Sequence, residues 1–160
     1  MHRLLRSVLA TATLTAVTAA AAHSFEAGAL TIESPWARAT PPGAPSAAVY
    51  FTVTSDGAAD HLTGVSVDEA IAAHASLHRT VRENDTARME PVDTAPVSAQ
   101  RPLVFEPGGY HVMLTGLKKT LAEGDRFPIT LEFAQAGDVD VEVTVEPLTG
   151  RTNDHAGKHH

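Results

Sequence analysis

The sequence predicts an all-β domain, a β-sandwich or Greek-key barrel. Short apolar runs alternate with a period of two, helical periodicity is almost absent, and turn signals recur roughly every eight to twelve residues. At 160 residues the chain is long enough for one ordinary core.

Taken in order, Ala29-Leu30-Thr31-Ile32 reads as a short strand. Pro35 to Thr40 and the Pro41-Pro42-Gly43-Ala44-Pro45 stretch read as an extended, turn-rich connector that cannot be helical. Trp36, the only tryptophan, is expected as a core anchor. From Ala47 to Thr54, Val49, Phe51 and Val53 alternate with Tyr50, Thr52 and Thr54, which marks a half-buried strand. After the turn Ser55-Asp56-Gly57 comes a strand from His61 to Val67. Asp68 to Ala73 is compatible with one helical turn or with a bulged connection. Ala75 to Thr80 and Thr86 to Val92 are strands joined by the polar turn Glu83-Asn84-Asp85, whereas Asp93 to Arg101 reads as irregular, broken by Pro96. Leu103 to Phe105 and Tyr110 to Leu114 flank the turn Pro107-Gly108-Gly109. After Glu123-Gly124-Asp125, Ile129, Leu131 and Phe133 alternate, then Val139, Val141, Val143 and Val145 alternate against acids, as in an antiparallel hairpin with a wet outer face.

Three regions are expected. Residues 1–22 read as a secretory signal peptide: Arg3 and Arg6, an apolar run from about Val8 to Ala22, and an A-x-A pattern at Ala20 and Ala22. Residues 23–147 are the β domain, and 148–160 a flexible, histidine-containing tail. No other apolar run approaches membrane-spanning length. The formal charge of −7, more negative once Arg3 and Arg6 are removed, argues against nucleic acid as a partner. With no cysteine there is no disulfide, thiolate nucleophile or thiol redox pair, which excludes a thiol oxidoreductase. No Ser/His/Asp or paired-carboxylate pattern stands out.

The chemistry gathers in one pattern. Besides Met1 the chain has two methionines, and both fall into H-x10-M-x21-H-x-M, formed by His78, Met89, His111 and Met113. Singly, each has a bland explanation: methionine fills gaps in cores, and a strand histidine usually sits at the surface. Together they are two thioethers and two imidazoles, soft and neutral donors that favour monovalent copper, Cu(I). Zinc prefers Cys, His and carboxylate, and a blue-copper centre needs a cysteine. Alternation sets Tyr110, Val112 and Leu114 on one face of their strand. It sets His111 and Met113 on the other, roughly 7 Å apart, away from the core. Met89 lies between Arg88 and Glu90, an odd place for a core methionine. An exposed site of this kind suits transfer better than locked storage.

These residues resemble the signature of the periplasmic copper chaperones of the PCuAC family. The flanking segments W-A-R-A-T-P-P-G-A-P-S-A-A-V-Y-F, L-H-R-T and P-G-G-Y-H-V-M-L-T-G-L carry the resemblance over about Leu30 to Pro147. It implies a cupredoxin-like, single-domain fold and a non-enzymatic protein that binds Cu(I) through the two histidines and two methionines. It also implies delivery to the dinuclear copper centre of cytochrome c oxidase subunit II, alongside a Sco-type copper protein. Arg79 and Thr80 depart from the family, where an acid and a methionine often follow the first histidine.

Other histidines carry separate expectations. By the same resemblance, His155, His159 and His160 form a short version of a His/Met-rich extension that binds Cu(II); a solvated polar tail is the other reading. Cleavage after Ala22 would expose His23 and its amine, the core of a rival reading as an N-terminal-His copper monooxygenase, and cleavage two residues earlier would leave Ala21-Ala22-His23, an amine-x-His chelate; either would make His23 a Cu(II) ligand. His61 and His74 lack a partner pattern, although His74 shares alternation parity with His78. The remaining rival is a metal-free β-sandwich binding module.

Overall fold

A computed structural model of the protein describes residues 23–149. The expected signal peptide, residues 1–22, and the tail histidines His155, His159 and His160 lie outside the described residues. Within them the chain is all-β, with eleven strands: β1 (Ser24–Ala27), β2 (Leu30–Arg38), β3 (Ser46–Ser55), β4 (Asp60–Val67), β5 (Ala72–Glu83), β6 (Thr86–Pro91), β7 (Ala95–Val97), β8 (Leu103–Phe105), β9 (Tyr110–Leu117), β10 (Arg126–Phe133) and β11 (Gly137–Glu146). The strands run in the order β6-β5-β9-β8-β3-β2-β11-β10-β4-β7, with β1 added beside β2 and a direct β9–β3 pairing. Two neighbours, β11–β2 and β8–β9, are parallel, so the chain crosses over between them in Greek-key fashion. The sheet folds over on itself, with β4 packing on β5. The fold is a cupredoxin-like β-sandwich.

The alternating residues named above supply the core. Val49, Phe51 and Val53 of β3, Ile129, Leu131 and Phe133 of β10, and Val139, Val141, Val143 and Val145 of β11 are all buried in one cluster with Val112 and Leu114 of β9. Phe51 and Phe105 stack within it, ring centroids 4.4 Å apart.

The structure corrects three local expectations and decides a fourth. The stretch Pro35–Arg38 is not connector: β2 continues through it, because the pairing with β3 shifts register between Glu33 and Trp36 and Ser34 takes φ 49°. That bulge accommodates Pro35, which has no N–H for a ladder. The segment called irregular holds β7, whose Pro96 is tolerated because β7 ends the sheet. Between β4 and β5, Asp68 to Ile71 make a single turn, the first of the two readings, with the N–H groups of Ile71 and Ala72 donating to the Asp68 carbonyl and that of Ala70 to its carboxylate. Trp36 is buried, but its strand parity places it on the outer face, against Tyr50 at 4.8 Å between ring centroids.

Candidate metal centre

Three adjacent strands, β6-β5-β9, build the site through their registers. In β5–β9 His78 lies opposite His111, and Ser76 opposite Met113. In β5–β6 Met89 lies opposite Thr80. Ser76, His78 and Thr80 are alternate residues of β5 and share one face, so all four donors stand on that face. Met89 and Met113 are each one diagonal step from His78, within reach of long side chains.

A two-residue turn sets the Met89 register. Asn84 and Asp85 both have positive φ, 48° and 64°, and Glu83 pairs directly with Thr86. Two left-handed residues make a type I′ turn, which Asn and Asp tolerate best after glycine. A slip of one residue would turn Met89 to the opposite face, where Arg88 and Glu90 now pair at 2.7 Å.

Burial is graded across the set, where the sequence suggested simply an exposed site. Met89 is 58% exposed and His111 only 3%, while His78 and Met113 are half-buried. His111 is covered because its ring stacks on that of His78, with centroids 5.9 Å apart.

The hydrogen bonds prepare His111 to ligate. Its Nδ1 lies 3.2 Å from the Gly109 carbonyl, which can only accept, so Nδ1 carries the proton. Nε2 is then an unprotonated lone pair, and it is buried with no hydrogen-bond partner. A buried polar atom without a partner costs about 1–3 kcal/mol, so its retention points to a ligand. Burial holds the His111 pKa below the usual imidazole range; the Gly109 hydrogen bond opposes this and the nearby His78 adds to it. Nδ1 of His78 is 3.3 Å from Ser76 Oγ, a hydroxyl that can serve either tautomer. This donor chemistry fits a soft monovalent ion. Among the described residues, no group of three His, Cys, Asp or Glu is placed to hold a harder one.

The structure does not bring His23 into this group. His23 precedes β1, its carbonyl accepts from Ser34 N–H, and β2 and β3 separate it from β9 by roughly 14 Å of strand spacing. His61 and His74 are exposed, His74 on the donor face. Sequence reasoning overlooked Ser76 and the Gly109 carbonyl. Their positions two residues before each histidine, on the same strand face in the case of Ser76, were the available signal.

Residues 30–145 match the family described as "Putative lipoprotein LpqE-like". A curated relative, "Putative lipoprotein Lxx21020" of Leifsonia xyli subsp. xyli, is 27% identical over 97% of both chains. Among solved structures, the copper-bound PCuAC domain from PmoF2 is 32% identical over 78% of this chain and 98% of that one, with a TM-score of 0.61. The Cu(I) form of DR1885 from Deinococcus radiodurans is 27% identical over 79% and 83%, with a TM-score of 0.53.

Proposed function

The chain belongs to the putative lipoprotein LpqE-like family and is a PCuAC-domain protein, and we propose that it is a periplasmic copper chaperone that holds Cu(I) through His78, Met89, His111 and Met113. The observation that carries this reading is His111 Nε2, unprotonated, buried and unpartnered beside three further neutral donors. Copper in the related PmoF2 and DR1885 structures supports the choice of metal. The signal-like leader and the lipoprotein names of the relatives support export.

The arrangement suits carriage rather than catalysis. Neutral donors do not cancel the ion's charge, so a protein offering thiolate ligands would bind it more tightly and draw it away. The exposed Met89 gives such a recipient a ligand to displace first. On this reading the recipient is the dinuclear copper site of cytochrome c oxidase subunit II, with a Sco-type protein assisting.

An anaerobic Cu(I) titration against a coloured chelator, on the protein and on Met89→Ala/Met113→Ala, tests the site. One tight equivalent that weakens by orders of magnitude in the variant supports it. Equal binding by both would move the metal to His23 or the tail, and no tight binding would leave a metal-free sandwich. Loaded protein mixed with the soluble copper domain of subunit II should lose its ion to it; retention, with or without the Sco-type protein, would remove that recipient.

A further inference from the structure

The donor face extends beyond the four residues of the motif. His74, Ser76 and His78 are successive same-face residues of β5, and Met113 lies opposite Ser76. Met113 is therefore the diagonal neighbour of both histidines, and each diagonal is within reach of long side chains. His74 is exposed, and among the described residues its imidazole makes no hydrogen bond or ion pair. It has no evident structural duty on a face otherwise lined by metal donors.

The backbone holds His74 in that row. Gly116 has φ +65°, and a Cβ there would come within 2.8 Å of Ala73 Cβ. Glycine thus lets β9 lie against the start of β5, where Ala72 pairs with Leu117 and His74 with Thr115.

We propose that His74, with His78 and Met113, forms an outer three-donor position for Cu(I), through which the ion enters and leaves the inner set. The inference rests on the Cu(I)-carrier reading above. His111 is too deeply buried for an incoming ligand to reach, so, after exposed Met89 has let go, an ion leaving the protein must still exchange His111 for an exposed donor. His74 is that donor. In the outer position His78 and Met113 stay attached, His111 and Met89 are released, and His74 takes their place. Every donor on both sides of the exchange is neutral, and copper remains Cu(I) throughout, so no reductant is needed.

The test measures Cu(I) affinity by chelator competition, and the rate at which a chelator captures the bound ion. It compares the wild type, His74→Ala, Met89→Ala and Met89→Ala/His74→Ala; both positions are exposed, so folding is preserved. Capture from His74→Ala should be slower than from wild type by about tenfold or more, and the double variant should bind about tenfold more weakly than Met89→Ala. In Met89→Ala the ring nitrogens of His74 should shift in the NMR spectrum when Cu(I) is added. An unchanged capture rate, equal affinity in the two Met89→Ala backgrounds, or an unshifted His74 ring would each overturn the outer position. Tight Cu(I) binding by the wild type would still uphold the carrier reading; its absence would overturn both.

Discussion

Replacing Asp60 with alanine should remove a large part of the stability without touching the donor face. Asp60 and His111 are the two buried polar side chains among the described residues. Asp60 Oδ1 accepts the N–H groups of His61 at 2.7 Å and Gln135 at 2.8 Å, and Oδ2 accepts that of Ala136 at 2.9 Å. The carboxylate thereby ties the start of β4 to the turn between β10 and β11. Burial alone would raise its pKa. The N–H donors of Gln135, Ala136 and His61, helped by the charge of His61, outweigh that and hold it below the usual carboxylate range. A hydrogen bond to a charged group contributes about 1.5–3 kcal/mol net, and three sharing one carboxylate are less than additive. The expected loss in Asp60→Ala is about 3–5 kcal/mol, against a typical domain stability of about 5–15 kcal/mol. Urea melts followed by Trp36 fluorescence measure it.

The pH profile supplies the sign. The folded carboxyl titrates below its unfolded value, so the unfolded chain binds more protons in between. The stabilisation is therefore complete above about pH 3.9 and is lost as pH falls through the folded value. The gap between wild type and variant should narrow in acid. On the carrier reading, Cu(I) at about 100 times its Kd should return about 2.7 kcal/mol to each protein, since the donor face is intact in both. A loss under about 1 kcal/mol at neutral pH would refute this account of Asp60.

Three further outcomes follow from the geometry. Gly116→Ala should cost about 1–3 kcal/mol, from the left-handed φ and the contact with Ala73, and should speed amide exchange where β5 begins and β9 ends. Wild-type exchange rates there would count against it. Because burial lowers the His111 pKa, its protonation favours the unfolded chain; stability of the copper-free protein should drop as pH falls from about 6.5 through the folded value, more than in His111→Gln. Parallel pH profiles from urea melts would contradict that. Met89→Leu should change stability by no more than about 0.5 kcal/mol, because the side chain is mostly exposed, yet weaken Cu(I) binding at least about tenfold. A large thermal shift with unchanged binding would make Met89 a packing residue.

Much of this arrangement was legible in alternation. The period of two along Ala47–Thr54 and Tyr110–Leu114 assigned the core face correctly and put His111 and Met113 together on the other. Alternation cannot say how covered an outer face is. His111 is buried, its ring stacked on that of His78, and that stacking is set by pairing between strands distant in sequence. Nor could it set Met89 on the face of His78, because that depends on whether two or three residues form the turn; the positive φ of Asn84 and Asp85 decides it. Prolines misled twice. Pro35 and Pro96 suggest breaks, but a bulge admits the first into β2 and a sheet edge admits the second into β7. Ser24–Ala27 held too short a pattern to read as a strand, and it pairs only because β2 extends beside it.

The central claim is that sulfur and nitrogen donors from three adjacent strands share one cuprous ion. X-ray absorption at the copper edge of the one-to-one reduced complex tests it most directly. A cuprous edge with a sulfur shell beside a nitrogen shell, the sulfur vanishing in Met89→Leu/Met113→Leu, is the predicted result. A shell of nitrogen and oxygen alone in the wild-type protein would contradict it.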